Sequence, residues 1–262
     1  MSSGDFTIPR VIYSLWLQGE KNAPEVVRLA FQRWGTLNPD YAVRILDQED
    51  VNKLLGASKI ATERLTVQAL SDVVRAKLLL EGGVWVDASV FPVEPLSKWL
   101  PLLMQKSQFY AFAQPAPDRP LSTWFLAAAK NNILMRKWWD EVERYWQRPR
   151  ALGRYHRITH PRGIIPRDPV WEVSPTGGAL KGKFPYFWFH YLFRYLLETD
   201  ADFASCWEHC AKLPANQAFQ LQALLKSLKP PTRQTIFCVA HSFPLHKLNW
   251  RDNYSTKVLE TL

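Results

Sequence analysis

The stretch Ser71–Asp87 reads SDVVRAKLLLEGGVWVD, and its local order decides the fold class. Apolar residues recur at helical spacing up to Leu80. Gly82 and Gly83 then stop the helix, because glycine takes the left-handed conformation just past a helix end without a Cβ penalty. Val84-Trp85-Val86 is a short apolar strand, and Asp87 stands where it ends. At about 100° per residue, Asp72, Arg75 and Leu79 fall in one narrow helical sector. A surface i,i+3 ion pair contributes only a few tenths of a kcal/mol and would give the same pattern. Here the pair lies beside a strand-end carboxylate, and ligands of open α/β sheets gather at the carboxyl ends of strands. The segment therefore reads as a site for a cation and a phosphorylated ligand.

Working outward, Ile8–Leu17 (IPRVIYSLWL) is a buried strand that ends at Gln18-Gly19. Asn22 caps a helix with Pro24 in its first turn, running to about Trp34. Asn38-Pro39-Asp40 is a turn, Tyr41–Leu46 a second strand, and Asp47 the cap of a helix reaching Leu55. A long helix spans about Thr62–Glu81. This alternation predicts an α/β sheet with parallel pairing. Further on, the pattern predicts a helix at Pro95–Gln105, strands at Phe109–Ala113 and Thr123–Ala128, and a helix at Asn131–Gln147. A basic, proline-rich loop follows over Ala151–Thr176, then helices at Phe184–Glu198 and Asp202–Lys226 and a last strand at Thr235–Ala240. The expected organisation is one domain, residues 1–262. Residues 1 to about 130 form its nucleotide-sized α/β core, and about 131 to 262 a more helical, acceptor-side portion.

Composition narrows the class. The 262 residues are 47% hydrophobic and 22% charged, an ordinary globular balance. No apolar run reaches the ~18 to 20 residues of a membrane helix. The first residues, MSSGDFTIPR, lack a signal-peptide core, so the expected compartment is the cytoplasm. Cys206, Cys210 and Cys238 are too few for a disulfide framework and read as buried small residues rather than a zinc site. The net charge of +9 favours an anionic partner, and the 12 tryptophans favour stacking surfaces or a membrane interface.

A nucleotide-sugar donor would meet these needs. Its diphosphate leaving group carries charge that a hard divalent cation and an arginine can neutralise. A second carboxylate can accept hydrogen bonds from ribose or sugar hydroxyls. A tryptophan can stack on the base.

The segments IPRVIYSLWLQGEKNAPEVV, NPDYAVRILD and LSDVVRAKLLLEGGVWVDASV resemble the capsular polysaccharide synthesis glycosyltransferases, over about residues 8 to 96. HYLFRYLLE and HKLNW are similar to the usual later segments. That family sits within the wider class of sugar transferases bearing an Asp-x-Asp motif. The resemblance implies a GT-A fold, hexosyltransferase-like chemistry, a nucleotide-sugar donor, Mn²⁺ or Mg²⁺, and retention of anomeric configuration. It assigns Trp16 to the nucleotide base, Asp72 to ribose or donor sugar, Arg75 to the phosphates or sugar, and Asp87 to the metal. Asp87-Ala88-Ser89 replaces Asp-x-Asp, which leaves one carboxylate, so waters and donor phosphates would complete a metal's ligands or metal dependence would be weak.

Other residues carry two readings each. Trp16 is a base platform or a core residue, and Gln18 and Gly19 approach the donor or simply turn. Ser89 joins the donor-binding set beside Asp87. His241 in AHSFPLHKLNW reaches the diphosphate or is structural, and Lys247 and Asn249 are similar. Asp118 and Arg119 form an acceptor-side loop or a solvated turn. Between Lys130 and Arg167 lie ten Lys or Arg, interleaved with Trp138, Trp139 and Trp146. That segment is an anionic-membrane surface on the inner leaflet, or a solvated basic face with tryptophans packed inward. Nucleic acid is not expected, since no binding motif accompanies the charge.

The leading reading is a metal-assisted transferase moving a sugar to a saccharide or lipid-linked saccharide acceptor in capsular or other surface-polysaccharide synthesis. One alternative is a toxin- or effector-like transferase that glycosylates a protein. An alternative of another class is a non-catalytic basic binding protein.

Overall fold

The computed structural model describes residues 8–62, 65–147, 153–154, 166–178, 183–227, 230–252 and 254–262. Strand β1 (Val11–Leu15) leads through helix α1 (Glu25–Leu37) to β2 (Ala42–Leu46), which pairs parallel to it. Helix α2 (Gln48–Leu55) opens on a capping box: Asp47 accepts from the Glu49 and Asp50 amides, and Asp50 accepts from the Asp47 amide. Helix α3 (Val67–Leu78), capped by Thr66, delivers β3 (Gly83–Val86) to the other side of β1, again parallel. A Cβ on Gly82, at φ +80°, would meet the Lys130 amide nitrogen at 2.5 Å, so only glycine makes this turn.

Strand β4 (Val90–Pro92) and helix α4 (Leu100–Met104) precede a hairpin of β5 (Phe109–Ala116) and β6 (Arg119–Ala128). The hairpin joins β3 antiparallel through β6, giving the mixed order β2-β1-β3-β6-β5. Helices α5 (Ile133–Trp146), α6 (Pro169–Val173), α7 (Trp188–Thr199), α8 (Ala201–Glu208), α9 (Gln220–Leu225), α10 (Arg233–Ala240) and α11 (Thr256–Leu259) follow. Short strands β7 (Gly153–Arg154) and β8 (Lys183–Phe184) pair parallel, and β9 (Leu245–Lys247) pairs antiparallel with β4.

Both faces of the sheet are covered, and side chains alternate between them. Trp85, Leu126 and Phe109 pack under α3, α5 and α7, whereas Val84, Val86, Phe125 and Phe112 pack on the other side with Trp34 and Leu100. The α/β class and the first five elements agree with the sequence reading.

Four later elements differ from it. The expected loop Ala151–Thr176 carries the short helix α6, with Asp168 as its cap and Pro169 at its first position. Thr235–Ala240 is part of α10 and not a strand. Thr232 caps the helix, and Ile236 and Ala240, four apart, are buried together, so helical spacing overrides β-branched content. The expected helix Asp202–Lys226 is broken: α8 ends at Glu208, and the chain passes Pro214 before a 3-10 turn and α9. The expected helix Pro95–Gln105 splits at Trp99, whose φ of −134° is not helical.

Candidate active site

The strand order reverses about β1, with β2 on one side and β3 on the other. Such a switch point opens a crevice at the carboxyl ends of the strands. Here Trp16 follows β1, Asp87 follows β3, and a cleft of about 1000 Å³ opens between them.

The cleft floor is a charged cluster. The Asp87 amide donates to the Trp124 carbonyl at 2.8 Å, which extends the β3–β6 ladder and fixes the side chain. Asp87 Oδ1 accepts from Trp85 Nε1 at 3.1 Å and lies 3.2 Å from Arg75 Nη2. Its Oδ2 lies 3.3 Å from Lys247 Nζ. Arg75 is 5% exposed and held at every nitrogen: Nη1 donates to the Thr123 carbonyl at 2.5 Å, Nη2 to Ser71 Oγ at 2.8 Å and Nε to the Ser71 carbonyl at 3.2 Å, which leaves the second Nη1 N–H for a ligand. Its guanidinium also faces the Trp85 ring at 5.0 Å. Asp72, 7% exposed, sits 3.5 Å from Arg75 Nη2.

The two carboxyls behave oppositely. Burial pushes Asp72 up to about 7, with Arg75 opposing and Asp87 adding to the rise. Burial also raises Asp87, but Arg75, Lys247 and the Trp85 N–H outweigh it and hold that carboxyl below its usual range. The floor therefore presents one firmly ionised carboxylate, one that titrates near neutrality and two fixed cations.

The walls are aromatic. Trp16 is half-buried and meets Trp250 edge-on at 5.3 Å, with the Arg251 guanidinium 4.3 Å from the Trp250 ring. Opposite, Tyr186, Phe187 and His190 line the cleft beside Arg119, whose guanidinium is 3.8 Å from the Phe187 ring. Burial, with Arg119 and Arg75 nearby, keeps His190 neutral at neutral pH. Asp118 is buried and accepts from Tyr191 Oη at 2.8 Å and Arg119 Nε at 3.2 Å. These two residues are thus not a solvated turn: Asp118 aims Arg119 into the cleft.

The structure brings Trp16, Gln18, Asp72, Arg75, Asp87 and Ser89 to this one cleft. His241 stands apart from the cleft lining. It is exposed, its Nδ1 pairs with the Phe237 carbonyl, and its ring stacks on Phe237 at 4.0 Å. The C-terminal cation at the cleft floor is Lys247, whose Nζ also donates to Ser89 Oγ at 2.8 Å. Sequence reasoning missed Trp250, Arg251 and His190. His190 left one signal, a polar residue inside the aromatic run FPYFWFHYLF.

A Mn²⁺ or Mg²⁺ ion needs several hard oxygen donors that are not already shared with fixed cations. Both Asp87 oxygens and Ser89 Oγ are already held by cations or N–H donors, and Asp72 is turned to Arg75. Among the described residues no three His, Cys, Asp or Glu gather as a metal site. This donor set does not fit a divalent ion.

The basic segment divides. Trp138, Trp139 and Trp146 are buried in the core, so they are not an aromatic membrane face. Lys137 pairs with Asp200 at 2.6 Å, and Arg144 with Glu141. Arg148, Arg150, Arg157 and Arg162 lie outside the described residues. No described helix is long and apolar enough to cross a membrane.

Known proteins resemble this chain in part. HOC1 of Saccharomyces cerevisiae, provisionally named a glycosyltransferase, is 26% identical over 125 residues, which are 44% of this chain and 31% of that protein. The chain thus spans less than a third of that relative's length. The PaToxG glycosyltransferase structure aligns at TM-score 0.43 and 16% identity, covering 77% of this chain and 74% of its own. A galactosyltransferase, LgtC, solved with donor and acceptor sugar analogues, aligns at 0.34 and 10%, covering 79% and 98%. A protein family described as capsular polysaccharide synthesis protein matches residues 2–161, more than half of the chain, and the chain belongs to that family.

Proposed function

We propose that this protein is a GT-A-type glycosyltransferase. It takes a sugar from a nucleotide-diphosphate donor and passes it to a saccharide acceptor, with retention of configuration. The observation that carries the reading is the Asp72–Arg75–Asp87 cluster at the carboxyl ends of β1 and β3, on the floor of a cleft large enough for a nucleotide sugar.

Each part has a task in that reaction. Arg75, locked by Ser71 and the Thr123 carbonyl, is a preorganised donor for the phosphate charge that develops as the glycosidic bond breaks. Asp87 keeps the cations aligned and accepts from sugar hydroxyls. Asp72 accepts from ribose or sugar, and Trp16 with Trp250 offers a surface for the base. Arg119, Phe187 and His190 form the wall against which an acceptor sugar lies. Both carboxylates are bound to cations, so the chain's part is charge stabilisation and positioning rather than nucleophilic attack. Attack by the acceptor hydroxyl on the face the diphosphate leaves gives retention.

The test is a screen of nucleotide sugars for hydrolysis and for transfer to oligosaccharides, with Asp87→Asn as control. Wild type turns over at least one donor. The variant loses about 100-fold or more in kcat, since a preorganised transition-state contact is worth roughly 3 kcal/mol. Variant turnover close to wild type would remove Asp87 from the machinery.

A further inference from the structure

The positive charge at this site is built into the chain. Lys247 lies on β9, and the β4–β9 ladder places it opposite Val90, directly after Ser89. The Leu248 amide donates to the Ser89 carbonyl at 2.9 Å, so the backbone holds the two segments in register. Lys247 Nζ sits between Asp87 Oδ2 at 3.3 Å and Ser89 Oγ at 2.8 Å, with its side chain 18% exposed at the cleft. An ammonium group has three donors, and two are used here. The third is left for a ligand in the cleft, and a lysine is a compact point charge suited to phosphate. A divalent ion at Asp87 and Ser89 would have to evict this ammonium, or lie against it and against Arg75.

We propose that Lys247, together with Arg75, occupies the role a divalent cation would fill, so that a nucleoside diphosphate binds and its sugar is transferred without metal. The inference rests on the donor class proposed above. Asp87 and Ser89 then act as the lysine's cradle, and the side chain of Lys247 touches the diphosphate directly.

The experiment is calorimetric titration of UDP, GDP, ADP, CDP and dTDP into the full chain, in EDTA and then in Mn²⁺. At least one diphosphate binds in EDTA, and Mn²⁺ changes its Kd by less than about twofold, under 0.5 kcal/mol. Lys247→Met weakens that diphosphate about tenfold or more, the loss of one charge-assisted contact, yet leaves the matching nucleoside unchanged. Lys247→Arg restores most of the affinity, and it carries the test if the Met variant does not fold. A double variant, Lys247→Ala with Ser89→Asp, replaces the ammonium by a second carboxylate and makes diphosphate binding depend on Mn²⁺. Wild-type binding that requires Mn²⁺ overturns the inference and leaves the donor class standing. Undiminished binding by Lys247→Met also overturns it. Failure of every diphosphate to bind, with or without Mn²⁺, overturns the donor class and the inference with it.

Discussion

Helices α3 and α5 mix charged and apolar residues in opposite ways. In α5 the apolar side faces in: Trp138, Trp139 and Trp146 are buried, and Lys137 reaches outward to Asp200. In α3 two charges are inside: Asp72 and Arg75 are buried alongside Leu70, Val73 and Val74, while Val67 is 56% exposed. Outward charges on an amphipathic helix follow from core formation alone. Inward charges do not, because a buried ion pair seldom repays its desolvation against apolar packing. The proposed site therefore rests on the helix that places charges under the sheet's carboxyl edge, and the tryptophan-rich helix belongs to the core.

The sharpest way to break the comparison is Trp138→Ala. Trp138 is fully buried, stacks on Phe189 at 3.8 Å and donates Nε1–H to the Phe189 carbonyl. Its loss should cost about 3–5 kcal/mol in urea unfolding. Diphosphate affinity of the folded fraction should not change. A parallel loss of affinity would show α5 to be part of the site.

Asp72→Asn tests the inward charge. The Asp72 carboxyl rises from 3.8 to about 7 on folding, so the folded chain holds its proton to higher pH than the unfolded chain. That stability is complete below about pH 4 and is lost as pH rises to about 7, a change of roughly 4 kcal/mol for three pKa units. Removing the carboxyl should flatten the wild-type stability curve across that window, measured by urea titration from pH 4 to 8. Identical curves would mean that Asp72 ionises as freely in the fold as outside it.

Trp16→Ala sharpens the contrast at the smallest cost. Unlike Trp138, Trp16 is half-buried at the cleft and rests edge-on against Trp250. Base stacking is worth ~1–3 kcal/mol, and a contact far from the breaking bond appears in KM more than in kcat. Unchanged donor KM would return Trp16 to the core.

Much of this was legible in the sequence because it is local. The Gly82-Gly83 stop, the strand GVWV and the Asp87 terminus are all encoded within a few residues, as is the Asp47 capping box. Helical angle puts Asp72 and Arg75 on one face, and the strand-end Asp87 beside them and the family resemblance mark them as site candidates. What stayed hidden depends on distant partners. β9 is three residues long and makes no pattern by itself, so Lys247 and His241 looked alike until pairing with β4 placed one in the cleft and α10 carried the other away. Asp118 looked like a turn residue because its partner, Tyr191, is 73 positions away. The α10 segment has a strand-like composition because Thr, Ile and Val suit either state, and burial decides between them.

The β4–β9 ribbon also joins distant parts of the chain. The hydrogen bond between Lys247 and Ser89 joins positions 158 residues apart, so it closes one of the longest loops in the chain. Contacts of such separation form late, after the entropy of closure has been met by nearer ones. Until Lys247 is in place, Asp87 has Arg75 and Trp85 as its partners but lacks its second cation. A nascent chain can thus complete its parallel strands without yet having a working cleft.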